Sequence, residues 1–271
     1  MSAEGMNRYL KKAAQILLPQ RAFVTLQSIR SRNYQMRLHR EWGVSQATRE
    51  MVDLHGLTVL GGPFQGMRYP RRSLLNRDGI PLLFGTYELE LQPVIEEIVR
   101  QTYDRIIDIG SAEGYYAVGL ALRMKTPIYA FDCEPRERRY LRQMALLNQV
   151  SDLIRTGPWC DPQILSGLVT RRRCLVISDC EGFEFDLFND ESVAPLRESD
   201  LIIELHEFGP ELKLRNELIK RFQTTHNGRV IAFSSENLGS SVPAKWRKFT
   251  REFRNPGQQW LYLKSQICVN R

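Results

Sequence analysis

"IIDIGSAEGYYAVGLA", residues 106–121, begins as one kind of element and ends as another. Ile106, Ile107 and Ile109 form a short β-branched run around Asp108, which predicts a buried strand. Gly110 follows at once, Gly114 closes the turn, and an apolar stretch with helical spacing runs on from Tyr115. Gly110 lets the backbone turn tightly and approach a ligand with no Cβ in the way. The helix start offers unpaired N–H groups to a polar or anionic group. Gly114 lets that helix begin close to the strand. In an open α/β sheet this place, just past the carboxyl end of a strand, is where ligands bind.

The same alternation continues downstream. "PIYAFD" (127–132), "DLIRT" (152–156), "RCLVISD" (173–179) and "SDLIIELHEF" (199–208) read as strands. Between them, "PRERRYLRQMALLNQ" (135–149) is a helix opened by Pro135, and "DPQILSGLV" (161–169) is a short helix with Asp161 as its N-cap. "FEFDLFND" (183–190) is a further short helix. "PELKLRNELIKRFQTT" (210–225) is a helix with Leu214, Leu218 and Phe222 on one side. "RVIAFSS" (229–235) and "QWLYLKS" (259–265) are strands with no helical pattern between them, so they should close the sheet as an antiparallel hairpin. Short strands alternating with amphipathic helices predict an α/β fold, a parallel sheet covered on both faces.

Upstream, residues 1–50 read as helical with an interruption near Pro19. Glycines at 61, 62 and 66 punctuate residues 57–76 and predict a short β-hairpin. The expected organisation is therefore a helical extension, residues 1–56, ahead of one domain, residues 57–271.

At 42% hydrophobic residues the chain can bury a full core. No apolar run reaches the roughly 20 residues a membrane span needs. The N-terminus lacks the pattern of a secretory signal, and the five cysteines form no CxxC pair, so a reducing cytoplasm is the expected location. The net charge is +7 and unevenly placed, with basic clusters in residues 1–50 and in "KWRKFTREFR" (245–254). Such clusters suit anionic lipid, nucleic acid or a subunit face, but base-reading signatures are absent. Peripheral membrane contact and a homodimer contact through residues 1–56 both stay open. Arg68, Arg71, Arg72 and Arg77 hint at an anionic acceptor.

Two cofactors compete for the glycine turn. A dinucleotide fold wants GxGxxG for a pyrophosphate, and here the middle glycine is missing from Gly110-Ser111-Ala112-Glu113-Gly114. Glu113 would also point negative charge at the phosphates. S-adenosylmethionine (SAM) carries a sulfonium and an ammonium, so Asp108 and Glu113 favour it. Asp132, at the end of the second strand, suits the ribose hydroxyls of either cofactor.

In these residues the chain resembles the class I SAM-dependent methyltransferases and, within them, the FkbM family. The resemblance runs over residues 57–265 through "FGTYELELQPVI", "IIDIGSAEGYYAVGLA", "IYAFDCEP", "ISDCEGFEFDLF" and "DLIIELHEF". The family's Asp-x-Glu-Gly-x-Glu pattern is similar to Asp179-Cys180-Glu181-Gly182-Phe183-Glu184. Its Phe-Glu-Pro pattern departs here to Phe131-Asp132-Cys133-Glu134-Pro135, which sets Asp132 against Glu134 for the ribose, and Asp132 is preferred because it directly follows the strand. The resemblance implies a Rossmann-like sheet of order 3-2-1-4-5-7-6 with strand 7 antiparallel. It also implies O-methylation of a hydroxyl on a sugar, glycan or secondary metabolite. It places Glu88 near the methionine ammonium, and Trp159 and Asp161 near the adenine.

Methyl transfer to a hydroxyl needs in-line alignment and a base or metal that activates the hydroxyl. Asp179 and Glu181 end the fourth strand, while Glu204, His206 and Glu207 end the fifth. His206 is the natural base at neutral pH, with Asp179 and Glu181 as alternatives. Asp179, Glu204 and His206 also make an N/O set for Mg2+ or Mn2+, and that question stays open. Glu184 and Asp186 read as first-turn acids of the following helix. An NAD(P)-dependent oxidoreductase and a non-catalytic binding protein with a basic N-terminus are the competing functions.

Overall fold

The computed structural model describes residues 20–75, 77–207, 212–233, 242–250 and 258–267. The expected break at Pro19, the basic residues before Gln20, residues 251–254 and Cys268 lie outside them. Seven strands form one sheet: β1 (Arg105–Ile109), β2 (Ile128–Phe131), β3 (Ile154–Gly157), β4 (Cys174–Ser178), β5 (Asp200–Leu205), β6 (His226–Ala232) and β7 (Gln259–Ser265). Their order is β3-β2-β1-β4-β5-β7-β6. The first five are parallel, and β7 runs antiparallel to both β5 and β6.

Alternation along each strand builds two apolar layers. Ile106, Ile128, Leu175, Ile177 and Ile202 face the layer formed with the Tyr115–Met124 and Pro135–Leu147 helices. Ile107, Ile109, Val176, Leu201 and Ile203 face the opposite layer, with the Pro162–Val169 and Lys213–Phe222 helices. β4 and β5 are buried at every position because both faces are covered and both edges paired. β3 and β6 form the sheet edges and are more exposed.

Two helices, Gln20–Glu41 and Val44–His55, precede the sheet. Val44, Ala47, Met51 and Val52 give the second one its buried face. No helix among the described residues is long and apolar enough to cross a membrane. The expected hairpin is present in short form: Thr58 and Arg68 bridge antiparallel, the Val59 N–H donates to Met67 O, the Tyr69 N–H to Leu57 O and the Gly66 N–H to Val59 O, and a helical turn follows at Arg71–Leu74. It also docks outward: the Leu60 N–H donates to Leu83 O at 2.7 Å, and Phe64 seats on Gly119, where an added Cβ would lie 2.5 Å from the ring. Residues 57–91 thus lie over the helix that follows the glycine turn. "FEFDLFND" forms two one-turn helices, Glu184–Leu187 and Asp190–Val193, because the Asn189 side chain caps the second by accepting from the Glu191 and Ser192 N–H groups. A short helix, Ala244–Arg247, stands between β6 and β7 and buries Trp246.

Candidate active site

The turns after β1 and β4 meet at the carboxyl end of the sheet. Ile109 pairs with Ser178, and the Asp179 N–H donates to Ile109 O at 2.8 Å. Gly110 has φ +83°, and a Cβ there would lie 1.6 Å from the Asp179 carbonyl oxygen. Only glycine permits that approach. Gly114, at φ +102°, lets the helix start against Leu141.

The acids predicted for a cofactor surround this turn. Asp108 is buried, and its Oδ2 has no hydrogen-bond partner among the described residues. Burial first, then the charges of Asp179 and Asp132, push its carboxyl up to about 8. Buried Ser111 Oγ also lacks a partner among the described residues. Asp132 holds the turn itself: Oδ2 accepts from the Ala112 N–H at 2.9 Å and Oδ1 from the Glu134 N–H at 2.7 Å. Burial is the main reason its carboxyl rises to about 7. Each oxygen keeps a second lone pair for a hydroxyl donor. Glu88 is buried at φ +48°, and its carboxylate accepts from the Tyr116 hydroxyl, on the first turn of the same helix.

Two of the expected cofactor residues are engaged within the protein. Glu113 Oε2 lies 2.9 Å from Arg77 Nη1, whose Nη2 also bonds Glu137. An acid drawn from water finds the nearest cation, and Arg77 comes from the overlying segment. Asp161 has committed Oδ1 to the Ile164 N–H at 2.9 Å as an N-cap, although Trp159 packs close by against Phe183, centroids 4.9 Å apart. The same pairing removes Arg77 as a free anion binder, and Arg71 is paired with Asp53 at 2.8 Å.

On the far side, β4 and β5 bring the predicted catalytic residues together. His206 Nε2 lies 3.5 Å from Asp179, 3.7 Å from Glu204 and 4.0 Å from Glu181. Its Nδ1 lies 2.7 Å from Glu184 Oε1. Glu184 stands in the first turn of its helix, as expected, but its side chain is fully buried against His206 rather than free. The visible signal was its place as the last acid of the Asp-x-Glu-Gly-x-Glu pattern. Glu204 accepts from Gln258 on the approach to β7. Glu207 is spent on the next helix, accepting from the Arg215 N–H at 2.7 Å.

Burial alone would lower the His206 pKa, but the Glu184 charge and hydrogen bond, then Glu204 and Asp179, raise it well above the ordinary 6.5. Burial likewise opposes ionisation of Glu184, and His206 overcomes it, lowering its carboxyl. Surrounded by these carboxylates, His206 is drawn towards its protonated, donating form, which works against a role as a free imidazole base. The Asp179, Glu204 and His206 ligand atoms all lie within 4.8 Å of one another.

No protein-family model matches the chain, and no curated protein matches it. Solved structures with a similar fold include a putative O-methyltransferase from Klebsiella pneumoniae, at 11% identity and TM-score 0.48, over 85% of this chain and 100% of that one. Another is human methyltransferase 10 domain containing protein, at 16% identity and TM-score 0.47, over 82% and 98%. A third is precorrin-6y C5,15-methyltransferase from Geobacter metallireducens GS-15, at 12% and 0.45, over 64% and 87%. The fold is the Rossmann-like methyltransferase fold, with its order 3-2-1-4-5-7-6 and antiparallel β7. At such identities and scores the likenesses say nothing of activity.

Proposed function

We propose that the chain is a SAM-dependent methyltransferase of FkbM type that methylates a hydroxyl on a sugar, glycan or secondary metabolite. The observation that carries this is the contact of the β1 and β4 turns. It sets the glycine turn and the partnerless Asp108 oxygen beside the carboxylate–histidine cluster of β4 and β5. A buried acid with an open acceptor site suits a cationic donor, and Asp132 suits paired ribose hydroxyls. On this reading Asp108, Ser111 and the start of the Tyr115–Met124 helix hold the cofactor across the switch point. The residues of β4 and β5 then face the methyl and align the acceptor.

Because His206 is drawn towards its charged form, proton removal from the acceptor falls to Asp179 or Glu181, both partly exposed. We further propose that Asp179, Glu204 and His206 take Mg2+ or Mn2+. The donor set is the N/O mixture these ions accept; the cation would displace the Nε2 proton of His206, and Glu184 on Nδ1 would orient the neutral imidazole so that Nε2 is the ligand atom. A bound cation would lower the pKa of the acceptor hydroxyl.

Titration calorimetry with S-adenosylhomocysteine tests the cofactor reading. Wild type should bind it, and Asp132→Ala should lose about 2 kcal/mol of affinity while staying folded, through two lost charge-assisted hydrogen bonds. Tight NAD(P)H binding with no response to S-adenosylhomocysteine would refute the proposal. Activity that survives exhaustive EDTA treatment removes the metal and leaves the carboxylate base.

A further inference from the structure

We propose that Arg77 is a positioning residue for the glycine turn: held from the N-terminal helices, it fixes Glu113 and with it the turn conformation that receives the cofactor. The inference rests on the cofactor reading of that turn.

Arg77 lies outside the α/β core, between the Arg71–Leu74 and Gly79–Phe84 helices. Its guanidinium bridges Glu113, inside the turn, and Glu137, on the next helix, and both acids are buried. The turn needs such support. Gly110, Ala112 and Gly114 all have positive φ, and Ala112 has +45° despite carrying a Cβ. A residue with a side chain stays in that region only when its surroundings hold it. Asp132 holds the Ala112 N–H from one side, and Arg77 draws Glu113, between the two left-handed residues, from the other.

Arg77 is itself clamped. The neighbouring Asp78 lies 2.9 Å from Nε2 of buried His39, on the Gln20–Glu41 helix. Gly79 sits so close to the Val44–His55 helix that a Cβ would lie 2.4 Å from Thr48 Cγ2. Residues 77–79 therefore connect both N-terminal helices to the cofactor turn. Apart from Arg77, the titratable groups facing Glu113 are Glu137, Asp132, Asp108 and the Tyr69 hydroxyl, none of them a cation. Burial already raises the Glu113 carboxyl, and Arg77 is what opposes that rise.

The test is S-adenosylhomocysteine affinity of Arg77→Met relative to wild type, by calorimetry at about pH 8 and about pH 5.5, since losing Arg77 leaves burial unopposed in raising the Glu113 carboxyl. The expected result is binding about tenfold weaker at the higher pH, with the ratio to wild type shrinking at the lower pH as Glu113 takes up a proton. Glu113→Gln should weaken binding about fivefold, and the double variant should be no weaker than Arg77→Met, since both act through one contact. A lowered melting temperature with unchanged affinity, a pH-independent ratio, or additive losses would overturn the proposal. Should Arg77→Met fail to fold, Glu113→Gln decides alone, and affinity equal to wild type overturns it. A wild type that does not bind the ligand removes the cofactor reading and this inference with it. A wild type that binds, beside variants that bind equally, removes only the inference.

Discussion

His206 illustrates how a side chain takes its chemistry from its neighbours. Free in water it would be neutral or charged near neutrality, and hence a natural base. Here Glu184 holds Nδ1 at 2.7 Å while Asp179 and Glu204 approach Nε2. Removing the imidazole strands Glu184, whose side chain is fully buried. His206→Ala should therefore destabilise the fold by about 3 kcal/mol, the scale for a buried charge that loses its partner. Adding Glu184→Leu should recover part of that, because the buried carboxylate that lost its hydrogen-bond partner is removed with it. Thermal or urea unfolding of the two variants checks both statements. A single variant as stable as wild type would show that the pair contributes nothing. Asp179, Glu181, Glu204 and His206 were legible as candidates because strand ends at a switch point can be located from apolar runs alone. The Glu184 contact was not, because it joins residues 22 positions apart in the chain.

The turn between β1 and its helix is the element on which the site depends, and glycine is required there for a spatial reason. At Gly110 a methyl group meets the Asp179 carbonyl and the backbone is left-handed as well. Gly110→Ala should drive the β1 and β4 turns apart, costing about 3 kcal/mol or more and abolishing S-adenosylhomocysteine binding. Gly167, inside the Pro162–Val169 helix, offers the contrast: a Cβ there meets nothing within 4 Å. Gly167→Ala should raise stability by about 0.5–1 kcal/mol through helix propensity and reduced freedom of the unfolded chain. Melting curves of the two variants should move in opposite directions. The Asp161 cap was also readable, since an acid before Pro162 and a helical run is a local signal, and its side chain accepts from the Ile164 N–H. The short hairpin within 57–76 was readable because its glycines mark the turn, whereas its docking on residues 83 and 119 was not, being a contact between distant parts of the chain.

Across the whole protein, buried acids at the carboxyl edge of the sheet tie stability to pH. Asp108 and Asp132 are raised to about 8 and about 7, so between the ordinary carboxylate value of 3.8 and these values the folded chain holds protons the unfolded chain has lost. Folded protein then binds more protons than unfolded, and stability falls as pH rises through that window. The Glu184–His206 pair works otherwise. Glu184 is lowered and His206 raised, so both stay charged from the ordinary 4.5 of a glutamate to beyond the 6.5 of a histidine. The pair's contribution is constant between those two values; it is lost as pH falls from 4.5 through the lowered Glu184 value, or climbs from 6.5 through the raised His206 value. Below pH 6.5 the falling slope accordingly belongs to the raised carboxyls of Asp108, Asp132 and Glu113, and above 6.5 His206 adds to it. Unliganded protein should melt at progressively lower temperature from about pH 5 to about pH 8. S-adenosylhomocysteine should flatten that slope and release protons on binding, seen as a dependence of calorimetric heat on buffer ionisation enthalpy. A flat unliganded profile would remove the raised carboxylates. Periodicity and punctuation along the chain determined the strands, their parallel sense, the antiparallel closure and the glycine turn, because each is a pattern within a few neighbouring residues. Tertiary structure alone decided that Glu113 belongs to Arg77, that Glu184 belongs to His206 and that Asp108 keeps an oxygen without a partner among the described residues. The physical reason is that a buried charge is governed by whichever groups the folded chain brings within a few ångströms, and sequence distance carries no record of that proximity.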